Sequence, residues 1–222
     1  MNNFIFNKSN CFCISLLNNN GRWSRMQERF VKLNLEVTRF PAAIGGTEDI
    51  IDIFDNRLSN GQKGCGQSHI NLWRHILNNE LPYALILEDD ACFDKDWSDK
   101  LELFTKEIHD KEWDIIFLNA SEPCYPIDKW VLCKEQYMTA GYIISLKGAK
   151  TILGMFPNCF YASDWMTSRI QLYNHSYCYF PWLIIQEGNE STIGNQLHVE
   201  EDHKKVVRCL NEIGYDLDNY LI

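Results

Sequence analysis

An α/β fold, with a mostly parallel central sheet flanked by helices, is what the sequence predicts, and three observations carry it. Near-continuous apolar runs of strand length recur, the clearest being "YALIL" at 83–87. Segments with apolar residues at helical spacing alternate with them. Asparagine, glycine and proline clusters punctuate the two. With 222 residues the chain is read as one domain, 1–222, whose last stretch, 195–222, forms a helical tail.

The elements follow in order. "CFCISLL" is a first strand, and the turn signal "NNNG" leads into a helix in which Met26, Phe30 and Leu33 share a face. "EVTRFPAA" is a second short strand. The polar stretch 45–63 reads as a loop with a helical turn. A helix then begins at Gln67 and aligns Ile70, Trp73 and Leu77. Gly64 and Gly66 before it read as a tight turn or a close backbone approach, which sets Ser68 and His69 at the entry of that helix, where anions are favoured. "LPYALILED" is the central strand. Residues 95–113 are helical and "DIIFLNA" is a strand. The stretch 137–156 is strand, turn and helix, with Ser145 as N-cap. "SDWMTSRIQLYNH" is a helix, and "SYCYFPWLIIQEG" holds one or two strands. "EEDHKKVVRCLNEIGYDL" is a last amphipathic helix.

A hydrophobic fraction of 45% supplies a core and argues against disorder. The formal net charge of -9, without a basic stripe, is not the footprint of a nucleic-acid binder. The N-terminal residues lack the pattern of a secretory signal, and no apolar run is long enough to span a bilayer. Nine scattered cysteines, an odd number set mostly in apolar runs, read as free thiols in a reducing compartment. A cytoplasmic location is therefore expected, with peripheral membrane contact left open. Cys11 and Cys13 face the same way on a strand, but no CxxC pair completes a zinc site.

The chemistry concentrates at Glu88, Asp89 and Asp90, three acids delivered to the carboxyl end of the strongest strand, where open α/β sheets bind ligands. Like charges at one point resist burial, and a hard divalent cation would relieve that repulsion. The plainer account is an acidic surface turn. Arg22, Arg25 and Arg29 recur along the first helix. They suit either a phosphate grip or a solvated face. His69 is either a packed histidine or a site residue.

Taken in order, "CISLLNNNGRWSRM", "GCGQSHINLWRHI", "YALILEDDACF", "TAGYIISLKGAKTIL" and "SDWMTSRI" resemble glycosyltransferase family 25, the lipooligosaccharide and procollagen galactosyltransferase-like group. The resemblance runs from about Cys11 to Gly194. It implies a GT-A-type nucleotide-sugar-binding fold and a UDP-sugar donor with Mn2+ or Mg2+. The implied reaction is inverting transfer of a hexose, galactose favoured and glucose possible, to a glycan or glycoprotein hydroxyl. The family's acidic motif maps onto Glu88, Asp89 and Asp90, with Glu88 in place of the first aspartate of the wider pattern. Glu88 and Asp90 are then metal ligands and Asp89 a donor-site residue. The resemblance places Leu16 and Arg22 near the nucleotide, and Ser68 and His69 at the border of the donor site. Gly141, with Thr139 and Ala140, lines the sugar pocket.

Inversion needs a base across the pocket from the metal, and Asp164 in "SDWM" is the candidate, with a helix N-cap as its competing role. Trp165 beside it suits sugar stacking or the core. Ser191 and Thr192 in "GNESTIG" match the family's serine–threonine signature and would meet the diphosphate. A late histidine often joins the metal in GT-A enzymes; His198 is placed for it and His203 is the weaker choice. The chain is short for the family, so acceptor-binding elements are expected to be reduced or supplied in trans. The rival readings are another metal-dependent nucleotide-handling enzyme, such as a nucleotidyltransferase, and a non-catalytic sugar-nucleotide-binding domain.

Overall fold

The computed structural model describes residues 4–47, 50, 52–188 and 196–222, with the side chains of 196–199 left aside. The strands are β1 (Cys11–Ser15), β2 (Thr38–Pro41), β3 (Tyr83–Glu88), β4 (Ala91–Asp94), β5 (Ile115–Phe117), β6 (Val131–Leu132), β7 (Gly141–Ser145), β8 (Ser176–Cys178), β9 (Ile184–Gln186) and β10 (Tyr220–Leu221). The helices are α1 (Asn20–Lys32), α2 (Asn60–Asn78), α3 (Trp97–Glu107), α4 (Leu146–Met155), α5 (Ser163–Ile170) and α6 (Gln196–Glu212).

Seven strands form the main sheet in the order β2-β1-β3-β7-β5-β8-β6. The strand β1 runs parallel to β2 and β3, and β5 runs parallel to β8. The expectation of a mostly parallel sheet needs correction, because β7 is antiparallel to both of its neighbours and β6 is antiparallel to β8. The sheet is mixed. The apolar run "GYIIS" is buried on both faces in either direction, so composition reports its burial and not its polarity.

Side chains alternate across the sheet with the period of two that strands impose. Phe12, Ile14, Ala84, Ile86, Tyr142 and Ile144 enter one core, shared with Ile70 and Trp73 of α2, Ile152 of α4, Met166 of α5 and Leu210 of α6. Cys11, Cys13, Leu85, Leu87 and Ile143 enter the other, with Met26 and Phe30 of α1 and Phe104 of α3. The sheet is thus covered on both faces, which explains why its strands read as unbroken apolar runs. All nine cysteines are free thiols.

Three strands, β4, β6 and β10, escape the sequence reading, and one helix starts earlier than expected. The segment "ACFD", taken with the acidic turn, forms β4, the centre of a second sheet ordered β10-β4-β9. Its antiparallel partners bring the ends of β9 and of the C-terminal tail beside the acidic turn. The helix expected from Gln67 begins at Asn60, where Ser59 and Gln62 form a reciprocal capping box. Gly64 and Gly66 therefore lie within the helix and make no turn. A Cβ on Gly64 would stand 2.7 Å from the Ala43 carbonyl, and one on Gly66 would stand 2.8 Å from the Phe54 ring. Close packing explains both glycines. Ser68 and His69 are accordingly mid-helix residues and not part of a helix N-terminus.

Candidate functional site

A cleft of about 340 Å³ opens at the carboxyl ends of β1 and β3, with Ser15, Leu16, Arg22, Glu88, Asp89 and Asp90 on its wall. Ser68 and Cys65 of α2 line the opposite side. Ser68 Oγ donates to the Gly64 carbonyl at 2.7 Å and accepts the Ala43 N–H at 2.9 Å, so it holds the loop after β2 against the helix. That loop supplies Ala43, Ile44 and Gly45 to the cleft.

The three acids are held by two different sets of partners. Arg22 reaches back from α1 with Nε 2.9 Å from Asp89 Oδ1 and Nη2 2.8 Å from Asp90 Oδ2. Arg25 and Arg29, further along the same face, meet Glu187 at 3.0 and 3.3 Å. The row of arginines faces internal carboxylates. Glu187 follows the apolar strand β9 as Glu88 to Asp90 follow β3, and its N–H donates to the Asp90 carbonyl. That repeated pattern, an apolar run delivering an acid, was the signal for Glu187 and was missed. Burial pushes the Asp90 carboxyl up; Arg22 pulls it down but Glu88 and Asp89 push it further, to about 7. Asp89 is raised for the same first reason, with Arg22 and Ser15 acting against the shift. Asp90 Oδ1 is buried without a hydrogen-bond partner.

Glu88 is held from the other side. His69 Nε2 lies 3.2 Å from Glu88 Oε1, and the Thr139 hydroxyl donates to the same oxygen at 2.6 Å. His69 is completely buried, its Nδ1 2.8 Å from the Tyr142 hydroxyl, which accepts the Trp73 Nε1–H at 3.0 Å. Burial alone would raise the Glu88 carboxyl, yet the His69 hydrogen bond and charge, Thr139 and Arg22 together hold it below the ordinary value. His69 is thus both a packed histidine and a neighbour of the acidic site. Cys65, His69 and Glu88 place their ligand atoms within 4.8 Å of one another and could hold a metal ion.

The other sequence candidates fall around this centre. Gly141 starts β7, and Ile184 fills the space that a side chain there would need. Asp164 lies in the first turn of α5, where its Oδ1 accepts the Trp165 N–H at 2.7 Å. Burial raises its carboxyl, the Trp165 amide opposes the shift, and the charge of Glu88 adds to it. Ser163, next to it, joins Thr139 Oγ1 at 3.0 Å and Cys65 Sγ at 3.4 Å, which ties the start of α5 to the Glu88 side. Trp165 is covered by Tyr161 and by the Arg169 guanidinium, at 4.3 and 4.2 Å. Ser191 and Thr192 lie outside the described residues, as does the side chain of His198. His203 packs against Gly188, a cleft residue, with a buried Nδ1 that has no hydrogen-bond partner.

Fold and site define an α/β domain whose strand tips open a cleft walled by partly buried carboxylates, the place where such sheets bind ligands. The profile of glycosyltransferase family 25 (LPS biosynthesis protein) matches residues 8–126, more than half of the chain, and the chain belongs to that family. It is similar to procollagen galactosyltransferase 1-A of Xenopus laevis, 29% identical over an alignment of 174 positions that covers 66% of this chain and 28% of the relative. Procollagen galactosyltransferase 1-B of Xenopus laevis is 34% identical over 110 residues, 45% of this chain and 18% of the relative. "Probable inactive glycosyltransferase 25 family member 3" of Bos taurus is 28% identical over 109 residues, again 45% and 18%. The matched stretches thus span less than a third of these relatives' own length. No helix among the described residues is long and apolar enough to cross a membrane.

Proposed function

We propose that the chain is a metal-dependent, inverting hexosyltransferase of GT-A type. It moves galactose, or glucose, from a UDP-sugar to a hydroxyl of a glycan or glycosylated protein, in the reducing setting of the cytoplasm. The observation that carries the reading is Asp90, a cleft residue beside the tip of β3 whose Oδ1 is a buried hard oxygen with no hydrogen-bond partner. Such an atom fits Mn2+ or Mg2+, which take oxygen donors. A cation bound there would neutralise the diphosphate and stabilise it as a leaving group.

The chain's own residues do the rest. Arg22 fixes both aspartates and offsets their mutual repulsion. Leu16 and Ser15 form the nucleotide wall, and Ser68 keeps the facing loop in place. His69 and Thr139 orient Glu88 as a second oxygen donor. Ser191 and Thr192 would meet the diphosphate. His198, or His203 against Gly188, would complete the ligand set. Asp164 accepts the proton of the attacking hydroxyl. Its raised affinity for protons suits a base, since a base works best near the ambient pH.

The test is a panel of nucleotide sugars with acceptors, with manganese or with chelator, read by product analysis. Release of UDP only with acceptor and metal is expected. Asp90→Ala should abolish turnover in a folded protein. Asp164→Asn should lose about 100-fold or more in turnover while donor binding persists. Equal loss of donor binding in both variants overturns the division of roles.

One observation favours a second reading, a non-catalytic sugar-nucleotide-binding domain: Arg22 already pairs with both Asp89 and Asp90, which gives the acids a counter-charge that needs no metal ion. Donor binding that is indifferent to manganese and never followed by transfer would favour it.

A further inference from the structure

Cys65, His69 and Glu88 form a second cluster that the reading above does not use as a unit. Cys65 and His69 are one turn apart on α2 and so share a face. Glu88 ends β3 directly across from them. We propose that these three residues form a binding site for zinc, or another thiophilic divalent cation, which shares Glu88 with the proposed oxygen site but takes its sulfur and nitrogen ligands from α2 and needs nothing from Asp90.

The ligand set is the first argument. Thiolate, imidazole and carboxylate are three zinc donors, and hard manganese or magnesium has no preference for sulfur. With one thiolate and one carboxylate, the site is neutral when a dication is bound. Geometry is the second argument. Zinc at its usual bond lengths holds ligand atoms roughly 3.3–3.6 Å apart. His69 Nε2 and Glu88 Oε1 already stand at 3.2 Å, and all three ligand atoms lie within 4.8 Å. Only the Cys65 thiol has to draw in, leaving its contact with Ser163 at 3.4 Å.

The outer partners are the third. His69 Nδ1 is fixed by the Tyr142 hydroxyl, itself tied to Trp73, so Nε2 is the nitrogen presented to an ion. Zinc-bound histidines rely on such a second contact. Cys65 and Glu88 both line the cleft, which gives the ion an entry path and leaves its fourth position open to water or to a ligand in the cleft. On binding, the sulfur–metal bond forms as the thiol proton passes to solvent, and His69 gives up the proton on Nε2 and keeps one on Nδ1, facing the Tyr142 oxygen.

Cobalt(II) is the probe, because thiolate coordination gives it a near-ultraviolet charge-transfer band and tetrahedral coordination gives intense visible bands. Titration of the whole chain should yield both at one ion per chain, and zinc should bleach them. Cys65→Ser should remove the thiolate band and weaken zinc binding by more than about 100-fold. Cys159→Ser, the other thiol that is not fully buried, should leave both bands unchanged. Asp90→Asn should keep the cobalt spectrum. A thiolate band that survives Cys65→Ser, or the lack of any band in a folded parent chain, overturns the site. Loss of the spectrum in Asp90→Asn overturns its independence from Asp90.

Discussion

Glu88 and Asp90 are two residues apart, both are acids at the tip of one strand, and burial works against the charge of each. Their fates diverge. Glu88 is held below its ordinary value, whereas Asp90 is raised to about 7. Hydrogen bonding separates them. Glu88 receives a hydroxyl and an imidazole on one oxygen, from Thr139 just before β7 and from His69 of α2. Asp90 shares a single guanidinium with Asp89 and keeps one oxygen unmatched. A buried carboxylate stays charged when donors are aimed at it, and one cation divided between two aspartates does not suffice. The hydrogen-bonded acid is charged and fixed in orientation before any ligand arrives; the unmatched one depends on a ligand for its last partner.

Removing Arg22 should break this contrast most severely. Arg22→Ala leaves two mostly buried aspartates without their ion-pair partner, and loss of one partner from a buried pair costs up to about 3–5 kcal/mol. Urea unfolding in chelator should show that loss, and Arg22→Ala with Asp90→Asn should recover part of it. No recovery would mean that the guanidinium acts through packing and not through charge.

The pH dependence of stability comes next in size. The folded-state affinity of Asp90 for protons exceeds the unfolded one, so between about pH 4 and 7 the folded chain holds a proton that the unfolded chain has lost. Stability attributable to Asp90 therefore falls as pH rises through that window. Glu88 has the opposite sign: its contribution is present above the ordinary value of 4.5 and is lost as pH falls through its depressed one. Asp90→Asn, measured without divalent ion, should gain stability relative to the parent at pH 7.5, by up to a few kcal/mol, and less at pH 5. An equal change at both values would remove Asp90 from the account.

Much of this was legible in the sequence, and the gaps have physical causes. The strand tip, the alternation of helix and strand and the stripe of arginines all follow from periodicity, which reports what is buried. Periodicity does not report strand direction, so β7 was misjudged. Nor does it report which neighbour excludes a side chain, so the tight turn and the close approach both stayed open for Gly64 and Gly66; Ala43 and Phe54, pressing against them, favour the close approach. The grouping of Glu88 with His69, Thr139 and Tyr142 joins three elements that only the sheet order β3-β7 brings together. A spacing of four between Cys65 and His69 on a helix was the one local sign of it.

The smallest effect tests whether the two arms are separate. Tyr142→Phe removes the hydroxyl that serves Trp73 and His69, leaving two buried ring nitrogens without a partner, at a cost of about 1–3 kcal/mol. It touches nothing on the Arg22 side. If the arms are independent, Tyr142→Phe and Arg22→Ala should add to within about 0.5 kcal/mol in a double-mutant cycle. Arg22 does act on Glu88 through its charge, which is the one route between them. A coupling well above that margin would show that this route is strong, and that the acids form one network in which the His69 side also sets the charge of Asp90.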